Sequence, residues 1–208
     1  MTKKVASKKI KAVLFDLGKV ILHFDFTPAF KKLSASCLKT PAEIDDYFRR
    51  SGLEVLYDGG KISSKEFHDK VKKGLGHQLG FGEFKQIWNE IFKPNREVVS
   101  LILKLKGRTR LVLVSNTNAM HFKYLVKRYS ILKHFDKHIL SYKEKVRKPD
   151  ERIYRAAIRA CRAKPHEILY IDDRLDLTEA ADEIGFHTFT FKNNATELVK
   201  KMKKLEIL

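Results

Sequence analysis

Short apolar runs rich in β-branched residues alternate along this chain with longer segments in which apolar residues recur every three or four positions. The short runs predict strands, and the longer segments predict amphipathic helices. Strands that alternate with helices are typical of a parallel sheet with helices on both faces. The predicted strands lie at residues 12–15, 111–114, 138–140, 168–171 and 188–191.

The helices predicted in the second half of the chain have clear start and stop signals. Residues 94–107 place Val98, Ile102 and Leu105 on one face and end on Gly107, and glycine is a common helix terminator. Further helical patterns cover residues 148–163, 177–185 and 194–204, with Asn194 suited to the N-cap of the last.

Residues 26–93 differ from the rest because no convincing strand is visible in them. Thr40 and Glu43 have the spacing of a capping box, and a proline occupies the first helical position. Helical patterns occupy residues 40–52, 63–76 and 81–92. We therefore predict an α/β fold, a Rossmann-like doubly wound parallel sheet core with an inserted all-helical cap domain. The core is expected at residues 1–24 and 94–208, and the cap at residues 25–93.

The composition is that of an ordinary globular protein, with 43% hydrophobic residues among 208. Cys37 and Cys161 belong to no metal-binding motif, which indicates free thiols and a reducing, cytoplasmic location. No apolar run reaches the length of a membrane span, and the basic N-terminus lacks the apolar stretch of a secretory signal. We expect no membrane partner and a monomer or homodimer.

The net charge of +18 raises the question of a polyanionic partner. The lysines, however, are spread along the chain, and no motif that reads DNA or RNA organises them. We therefore expect a generally basic surface that attracts phosphorylated substrates, and we do not expect nucleic acid as a partner.

Polar side chains stand where the predicted strands end, and open α/β sheets bind ligands beyond the carboxyl ends of their strands. Asp16 ends the first strand and Ser115 ends the second. Asp172 and Asp173 end the fourth, and Lys148 opens a helix. We expect these groups to converge on one crevice.

Acids that cluster in this way repel each other unless a cation lies between them or one of them is protonated. Asp16, Asp172 and Asp173 offer hard oxygen ligands of the kind that Mg²⁺ prefers. With Lys148 and Ser115 nearby, the crevice can neutralise a phosphoryl group from several sides. A carboxylate in that position can also attack phosphorus. The residues thus favour phosphate chemistry supported by Mg²⁺.

The segments FDLGKV, VLVSNTN, RKPD and YIDDRLD, in this order, resemble the four motifs of the haloacid dehalogenase-like (HAD) hydrolase superfamily. The chain is most similar to the C1 branch, subfamily IA, which carries a helical cap between its first two motifs. Within it, the likeness extends over nearly the full length to sugar-phosphate phosphatases and the phosphatase-like domain of epoxide hydrolases. The resemblance implies a Mg²⁺-dependent phosphatase that hydrolyses a small phosphorylated metabolite through an aspartyl phosphate.

The resemblance also implies roles for the acidic residues. Asp16 matches the nucleophile, which is a metal ligand as well. Gly18 matches the position whose carbonyl oxygen binds the metal. Asp172 and Asp173 match the metal-binding acids, with Asp173 expected as a direct ligand and Asp172 as a direct or water-mediated one.

Phosphate binding is implied for a second group of residues. The hydroxyl of Ser115 and the amide of Asn116 match the groups that bind the phosphoryl oxygens. The backbone amides of Leu17 and Gly18 are expected to hold the transferring phosphoryl group. Lys148 matches the lysine that offsets the negative charge on the nucleophile and the phosphoryl group.

Two positions depart from the family pattern. Most family phosphatases carry a second acid two residues after the nucleophile, where this chain has Gly18. Loss of general acid–base help costs roughly 10²–10⁴-fold in rate, which predicts a slow enzyme, a preference for good leaving groups, or a substitute such as Asp25 or His23. Leu177 stands where related sequences carry a polar residue that orients the metal shell, unless Asp176 compensates.

The cap is expected to set substrate choice by closing over the crevice. Residues 56–63 are predicted to form a loop that faces the site, which makes Tyr57, Asp58 and Lys61 candidates for substrate contacts, with Asp25 at the cap boundary as a fourth. Trp88 is expected in the core of the cap. His121 is suited equally to the site and to a packing role.

Three alternative functions remain at this point. A dehalogenase fits poorly, because the tyrosine typical of that branch is missing from the first motif and the paired acids are kept. A phosphomutase fits poorly because it needs the second acid. A catalytically weak or inactive HAD-like protein that binds a phosphoryl ligand, nucleic acid or protein is the alternative from another class, motivated by Gly18, Leu177 and the charge.

Overall fold

The strands are short and lie between helices, as the alternating pattern predicts. The computed structural model describes residues 9–208, so residues 1–8 of the predicted core lie outside the described residues. The strands in the described range are β1 (Ala12–Phe15), β2 (Leu22–Phe24), β3 (Phe92–Pro94), β4 (Arg110–Ser115), β5 (Lys137–Leu140), β6 (Ile168–Asp172) and β7 (His187–Thr190).

The helices occupy both the interval between β2 and β3 and the connections of the main sheet. None of those found in residues 9–208 has the length and apolar composition needed to cross a membrane. They are α1 (Thr27–Ser34), α2 (Pro41–Ser51), α3 (Leu53–Asp58), α4 (Ser64–Leu75), α5 (Phe81–Asn89), α6 (Arg96–Leu105), α7 (Ala119–Arg128), α8 (Ser141–Glu144), α9 (Glu151–Cys161), α10 (Leu175–Glu183) and α11 (Ala195–Lys204).

Within residues 9–208, five strands form a parallel sheet in the order β5-β4-β1-β6-β7. All four residues of β1 are buried, and alternate residues of a strand face opposite sides of a sheet. Val13 and Phe15 pack in the apolar layer that includes α6, α7 and α11. Ala12 and Leu14 pack in the layer that includes α9 and α10. The predicted doubly wound α/β fold is therefore confirmed.

Helices α1 to α5 share an apolar core rich in aromatic rings, to which Met120 of α7 also contributes. The Trp88 ring lies at its centre, 4.9 Å from the Phe48 ring and 1% exposed, as expected for a packing residue. The capping box predicted at the start of α2 is present, because Thr40 accepts from the Glu43 amide and Glu43 accepts from the Thr40 amide. These helices form the cap over the sheet.

Two details of the cap differ from the sequence prediction. Residues 56–58 are the last turn of α3 and not part of a loop; a six-residue helix is too short to give a clear apolar period. Phe92–Pro94, at the end of the stretch predicted without strands, pairs antiparallel with Leu22–Phe24. This hinge ribbon joins cap and core, and its three-residue strands leave no alternation to detect.

Candidate active site

The sheet register brings the predicted acids together. Phe15 of β1 pairs with Ile171 of β6, so the residues that follow them, Asp16 and Asp172, end adjacent strands. The Asp16 amide continues the ladder by donating to the Ile171 carbonyl oxygen at 2.8 Å. Asp16, Asp172 and Asp173 each offer a carboxylate oxygen within 4.8 Å of the others. The carboxyl ends of β1 and β6 thus build one acidic cluster.

Lys148 lies buried against this cluster, with 1% of its side chain exposed. Its Nζ donates to Asp16 Oδ1 and to Asp172 Oδ2, both at 2.6 Å. The Asn116 side chain fixes the lysine backbone, because its Oδ1 accepts from the Lys148 amide at 2.8 Å and its Nδ2 donates to the Lys148 carbonyl oxygen at 3.0 Å. Burial alone would lower the pKa of Lys148, but the two carboxylates outweigh it and raise that pKa, so the ammonium stays charged.

The cluster carries more negative charge than Lys148 balances. Burial, followed by the charges of Asp172 and Asp173, raises the pKa of Asp16 to about 7, even though Lys148 opposes the shift. Among residues 9–208, Lys148 is the one cation that contacts the cluster directly, while Lys19 acts on Asp173 from the crevice wall. Clustered carboxylate oxygens of this kind are the ligands of Mg²⁺. The residues present therefore fit a divalent cation.

The last residue of β6, Asp172, and the residue after it, Asp173, differ in how far their carboxylate oxygens are engaged in hydrogen bonds. Asp172 Oδ2 accepts from Lys148 and from the Tyr170 hydroxyl, and Oδ1 accepts from the Arg174 amide at 3.0 Å. Asp173 is only partly buried and, among residues 9–208, accepts no hydrogen bond from another residue. Of these two acids, Asp173 is therefore the one whose oxygens are open to a metal.

Two neighbouring spaces that share part of their lining lie beyond the strand ends. The crevice is lined by the acidic cluster, Lys148, Gly18 and Asn116. The apolar pocket beside it has a volume of ≈ 150 Å³ and is lined by the predicted phosphate-binding residues Leu17, Ser115 and Asn116 together with aromatic rings. The residues that line both spaces are Gly18, Phe24, Asp58 and Asn116.

Of the four cap candidates, Asp58 is the one that reaches these spaces. Asp25 is exposed and its Oδ1 accepts from the Thr27 amide at 2.8 Å, which holds the pKa of Asp25 below its usual value. The Tyr57 hydroxyl is buried between Ser64 Oγ at 2.6 Å and the Met120 amide at 3.1 Å. Lys61 is exposed on the surface. The residues that line the crevice and the apolar pocket include neither Asp25, Tyr57 nor Lys61.

Other residues weighed from the sequence lie as follows. His23 faces a shallow groove with Lys19 rather than the crevice. Leu177 does line the crevice, and no polar side chain takes its place, since Asp176 is exposed and bound to Arg174 Nε at 3.0 Å. The crevice wall beside Asp172 is therefore apolar at this point.

Several residues of the site were missed from the sequence. The Phe24 ring stands where a side chain at position 18 would extend, because a Cβ on Gly18 would come within 2.9 Å of its Cε1. Tyr170 precedes Asp172 by two positions on β6, and the two-residue period of a strand could have revealed it. Arg147 and Asn118 lie inside the quoted motifs. Phe24 lies on a three-residue strand and gave no signal.

Asn118 connects the cap to the core. Its Oδ1 caps α7 by accepting from the His121 amide at 3.0 Å, so its Nδ2 must be the donor to Asp58 Oδ1 at 3.1 Å and to His121 Nδ1 at 3.2 Å. The other ring nitrogen of His121 then donates to the Trp88 carbonyl oxygen at 2.9 Å. Burial lowers the pKa of His121 to about 4. His121 is thus a neutral packing residue that also lines the apolar pocket.

Two carboxyl groups of α3 stand in this polar network. Asp58 is partly buried, with 18% of its side chain exposed. Burial raises the pKa of Asp58 to about 6, although the Asn118 hydrogen bond and Arg147 oppose the shift. Burial, with the charge of Asp58, raises the pKa of Glu54 to about 7. Both groups are therefore partly protonated near neutral pH.

Comparisons with known proteins agree with this geometry. Residues 10–185 match the haloacid dehalogenase-like hydrolase family. A HAD family enzyme from Bacteroides thetaiotaomicron, crystallised with magnesium and inorganic phosphate, superposes with a TM-score of 0.81 at 27% identity, over 91% of this chain and 98% of that one. A HAD-like hydrolase structure from Porphyromonas gingivalis superposes with a TM-score of 0.79 at 25% identity, over 94% of this chain and 98% of that one.

A curated relative is similar over most of its length as well. A sesquiterpene phosphatase from Aspergillus oryzae is 25% identical over 183 residues, which cover 84% of this chain and 86% of that protein. The family match extends over well more than half of the chain. The chain therefore belongs to the haloacid dehalogenase-like hydrolase family.

Proposed function

We propose that this HAD-like hydrolase is a Mg²⁺-dependent phosphatase of small phosphorylated metabolites, such as sugar phosphates. The observation that carries the proposal is the buried contact of Lys148 with both Asp16 and Asp172, beside a third acid, Asp173, that accepts no hydrogen bond from another residue in the range 9–208. A phosphoryl group and a divalent cation together meet the charge requirement of such a site. The phosphatase relative and the magnesium–phosphate complex of a structural neighbour support it.

In this proposal, the Asp16 carboxylate attacks phosphorus in line, the bond from phosphorus to the leaving oxygen breaks, and an aspartyl phosphate forms. Lys148, the Ser115 hydroxyl and the amides of Leu17, Gly18 and Asn116 hold the phosphoryl oxygens. Asp16, Asp173 and the Gly18 carbonyl, with Asp172 directly or through water, would hold Mg²⁺, which when bound neutralises charge on the phosphoryl oxygens. Water then attacks phosphorus, and the bond to Asp16 breaks to release phosphate.

The acidic cluster favours phosphoryl transfer over dehalogenation, the other chemistry found in this family. A haloacid carries its own carboxylate and would meet two further carboxylates, Asp172 and Asp173, beside the nucleophile. When a phosphate ester binds together with a divalent cation, the two carboxylates attract the cation and so favour the complex.

The test is hydrolysis of p-nitrophenyl phosphate with and without Mg²⁺, by the wild type and by Asp16→Asn. We expect Mg²⁺-dependent turnover that falls by about 10³-fold or more in the variant, because an amide cannot act as the nucleophile. Asp25→Asn is the matched control, since that acid is exposed and lies outside the crevice. Wild-type protein that is folded, binds Mg²⁺ and turns over no substrate in a broad phosphate-ester panel would contradict the proposal.

The second candidate is a weak or inactive HAD-like protein that binds a phosphoryl ligand, a nucleic acid or a protein. The apolar Leu177 side chain in the crevice wall favours it, because outer-shell losses cost metal sites roughly 10–100-fold. The same panel distinguishes the two, since this candidate predicts Mg²⁺-dependent binding of inorganic phosphate without turnover. A cytoplasmic location and a monomeric or homodimeric state remain predictions.

A further inference from the structure

A phosphatase of this kind must deliver a proton to the oxygen that leaves phosphorus, since an alkoxide is a poor leaving group. Position 18, two residues after the nucleophile, has no side chain. The Phe24 ring also fills the space beside it, within 2.9 Å of where a Cβ would lie. The proton must therefore come from a different wall of the site.

Three further titratable groups near the site are excluded as proton donors by their positions. Glu54 and His121 line the apolar pocket but are not among the residues that line the crevice. Both ring nitrogens of His121 are engaged, by Asn118 and by the Trp88 carbonyl oxygen. Tyr57 is held by Ser64 and the Met120 amide, away from both spaces.

Asp58 differs from all of these because it lines both spaces. It shares the crevice with Asp16 and Lys148, and it shares the apolar pocket with the aromatic rings. A phosphoryl group beside Asp16 in the crevice can also reach Ser115 and the Leu17 amide, which line the pocket, only at the boundary of the two spaces. The bridging oxygen of the ester would then lie near the residues that line both. Asp58 is one of those residues.

The Asp58 side chain is held from one side and open on the other. Oδ1 accepts from Asn118, whereas Oδ2 has no hydrogen-bond partner among residues 9–208, its nearest charge being Arg147 Nη2 at 3.9 Å. The backbone is anchored as well, because Ser141 Oγ donates to the Asp58 carbonyl oxygen at 2.6 Å and Lys145 Nζ to the next carbonyl but one, of Gly60, at 2.7 Å. Asn118 thus holds the carboxyl group through Oδ1, and Oδ2 is left available to a ligand.

Building on the proposed function, we propose that Asp58 is the general acid and base of this enzyme, supplied by the cap. As the bond from phosphorus to the leaving oxygen breaks, the Asp58 carboxyl group gives its Oδ2 proton to that oxygen, which leaves as an alcohol. In the second step, the Asp58 carboxylate takes a proton from the water whose oxygen bonds to phosphorus. The bond from phosphorus to Asp16 breaks at the same time, so that phosphate leaves and the acid is restored.

The charges around Asp58 agree with this role. Glu54 faces it from the same helix, Arg147 from the segment before Lys148, and neutral His121 through Asn118 from α7. Burial outweighs the opposing effects of Asn118 and Arg147, and the resulting pKa of about 6 leaves part of the population protonated at neutral pH. An acid that must also act as a base works best with a pKa in this range.

The test compares Asp58→Asn with the wild type on two aryl phosphates of similar shape. The p-nitrophenolate leaving group needs no proton, whereas phenolate from phenyl phosphate benefits from one. Because kcat/KM reports only the steps up to leaving-group release, we expect Asp58→Asn to keep kcat/KM for p-nitrophenyl phosphate within about 3-fold. We expect kcat/KM for phenyl phosphate to fall by about 10²-fold or more.

Asp25→Asn is the control, because that acid lies outside both spaces, and it should not change the ratio of the two substrates. Equal losses on both substrates in Asp58→Asn, or no loss on either, would overturn the proposal. The wild type also tests it without any substitution, since kcat/KM for phenyl phosphate should decline above the pKa of Asp58 more steeply than that for p-nitrophenyl phosphate. Parallel pH profiles would likewise overturn it.

Failure of this proposal can be distinguished from failure of the proposed function. If Asp16→Asn abolishes turnover of both substrates while Asp58→Asn leaves their ratio unchanged, the enzyme is a phosphatase whose proton comes from elsewhere. If the folded wild type hydrolyses neither substrate, the proposed function itself fails.

Discussion

Gly18 and Phe24 depend on each other, because the Phe24 ring occupies the space that any side chain at position 18 would need. The Phe24 ring also makes edge contacts with Phe26 and Phe92, at 5.9 and 6.1 Å between ring centroids. Lys19 Nζ lies 5.6 Å from the centre of the same ring. At the residue scale, the absence of an acid at position 18 thus leaves room for the Phe24 ring, which closes one side of the crevice.

This mutual dependence predicts the effect of Gly18→Ala on stability. The added Cβ would lie 2.9 Å from Phe24 Cε1, so the ring must move and lose contacts. Because Phe24 is 37% exposed and its ring can shift outward, the cost should be about 1 kcal/mol of unfolding free energy, the low end for overpacking. In a Phe24→Ala background the same substitution should cost much less, and denaturant unfolding of the four proteins in the cycle measures the difference. Additive effects of the two substitutions would show that the residues do not compete for space.

The acids at the strand ends and Lys148 could be predicted from the sequence, and Asp58 was among the cap candidates, whereas the route by which the cap and Phe24 approach the acids could not be predicted. Asp16 and Asp172 each follow an unbroken apolar run, and parallel strands place such ends together. Asp58 approaches them from residues more than forty positions away, by way of a cap helix too short to be seen in the pattern. The position of Phe24 depends on hinge pairing, for which no local signal exists.

At the element scale, His121 joins helix α7 of the core to helix α5 of the cap. Its Nδ1 accepts from Asn118, so a proton on that nitrogen would face another donor and break the contact. Its Nε2 donates to the last residue but one of α5, Trp88, through the carbonyl oxygen. The neutral form of the His121 imidazole therefore makes both hydrogen bonds, and the one to Trp88 joins the cap to the core at this point.

Acid should weaken this docking, and the sign follows from the two pKa values. The pKa of His121 is about 4 when folded, against an ordinary value of 6.5. The unfolded chain therefore binds more protons between these values, and the free energy of unfolding falls as the pH is lowered through them. Between pH 7 and 5 this amounts to about 2 kcal/mol.

The measurement is urea unfolding of the wild type and of His121→Asn at both pH values. The wild type should lose about 2 kcal/mol more than the variant on acidification. The raised pKa values of Asp16, Glu54 and Asp58 act in the opposite direction, but they are common to both proteins and drop out of the comparison. Equal losses in the two proteins would show that His121 is not the titrating group.

Elements with strong local signals were predicted closely, and those fixed by tertiary contacts were not. The strand predicted at residues 12–15 and the capped helix α2 match the structure. The hinge ribbon and α3 were missed because each is held by partners distant in sequence and is too short to show a period. The boundary of the cap at residues 25 and 93 stays a prediction.

At the scale of the whole molecule, the chain has a net charge of +18, whereas the cluster in its site is acidic. Such a field attracts anionic substrates to the crevice from a distance. Because salt screens exposed charges, we expect kcat/KM for p-nitrophenyl phosphate to be several-fold lower at about 1 M than at about 0.01 M ionic strength. The rate constant kcat should change little, since the buried contacts of Lys148 are screened much less.

A variant that tests this field changes exposed lysines of helix α11, which lie outside the crevice. Charge reversal of Lys200 and Lys203 together should reduce the salt dependence of kcat/KM and leave kcat unchanged.

Duplex DNA should bind only weakly at physiological salt. Tight binding with a steep dependence on salt concentration would instead favour the nucleic-acid alternative.

The hinge ribbon gives the molecule a modular construction. The chain leaves the core at Phe24 and returns beside it at Phe92, since the two residues are antiparallel partners, so the length of the intervening segment places little demand on the sheet. A segment attached in this way can be exchanged between relatives as a cassette while the strand ends keep Asp16 and Lys148 in place. Because Asp58 belongs to that cassette, an exchange would alter both the accepted substrates and how acidic their leaving alcohols must be. The accepted substrates and the required acidity of the leaving alcohol would then change together in evolution.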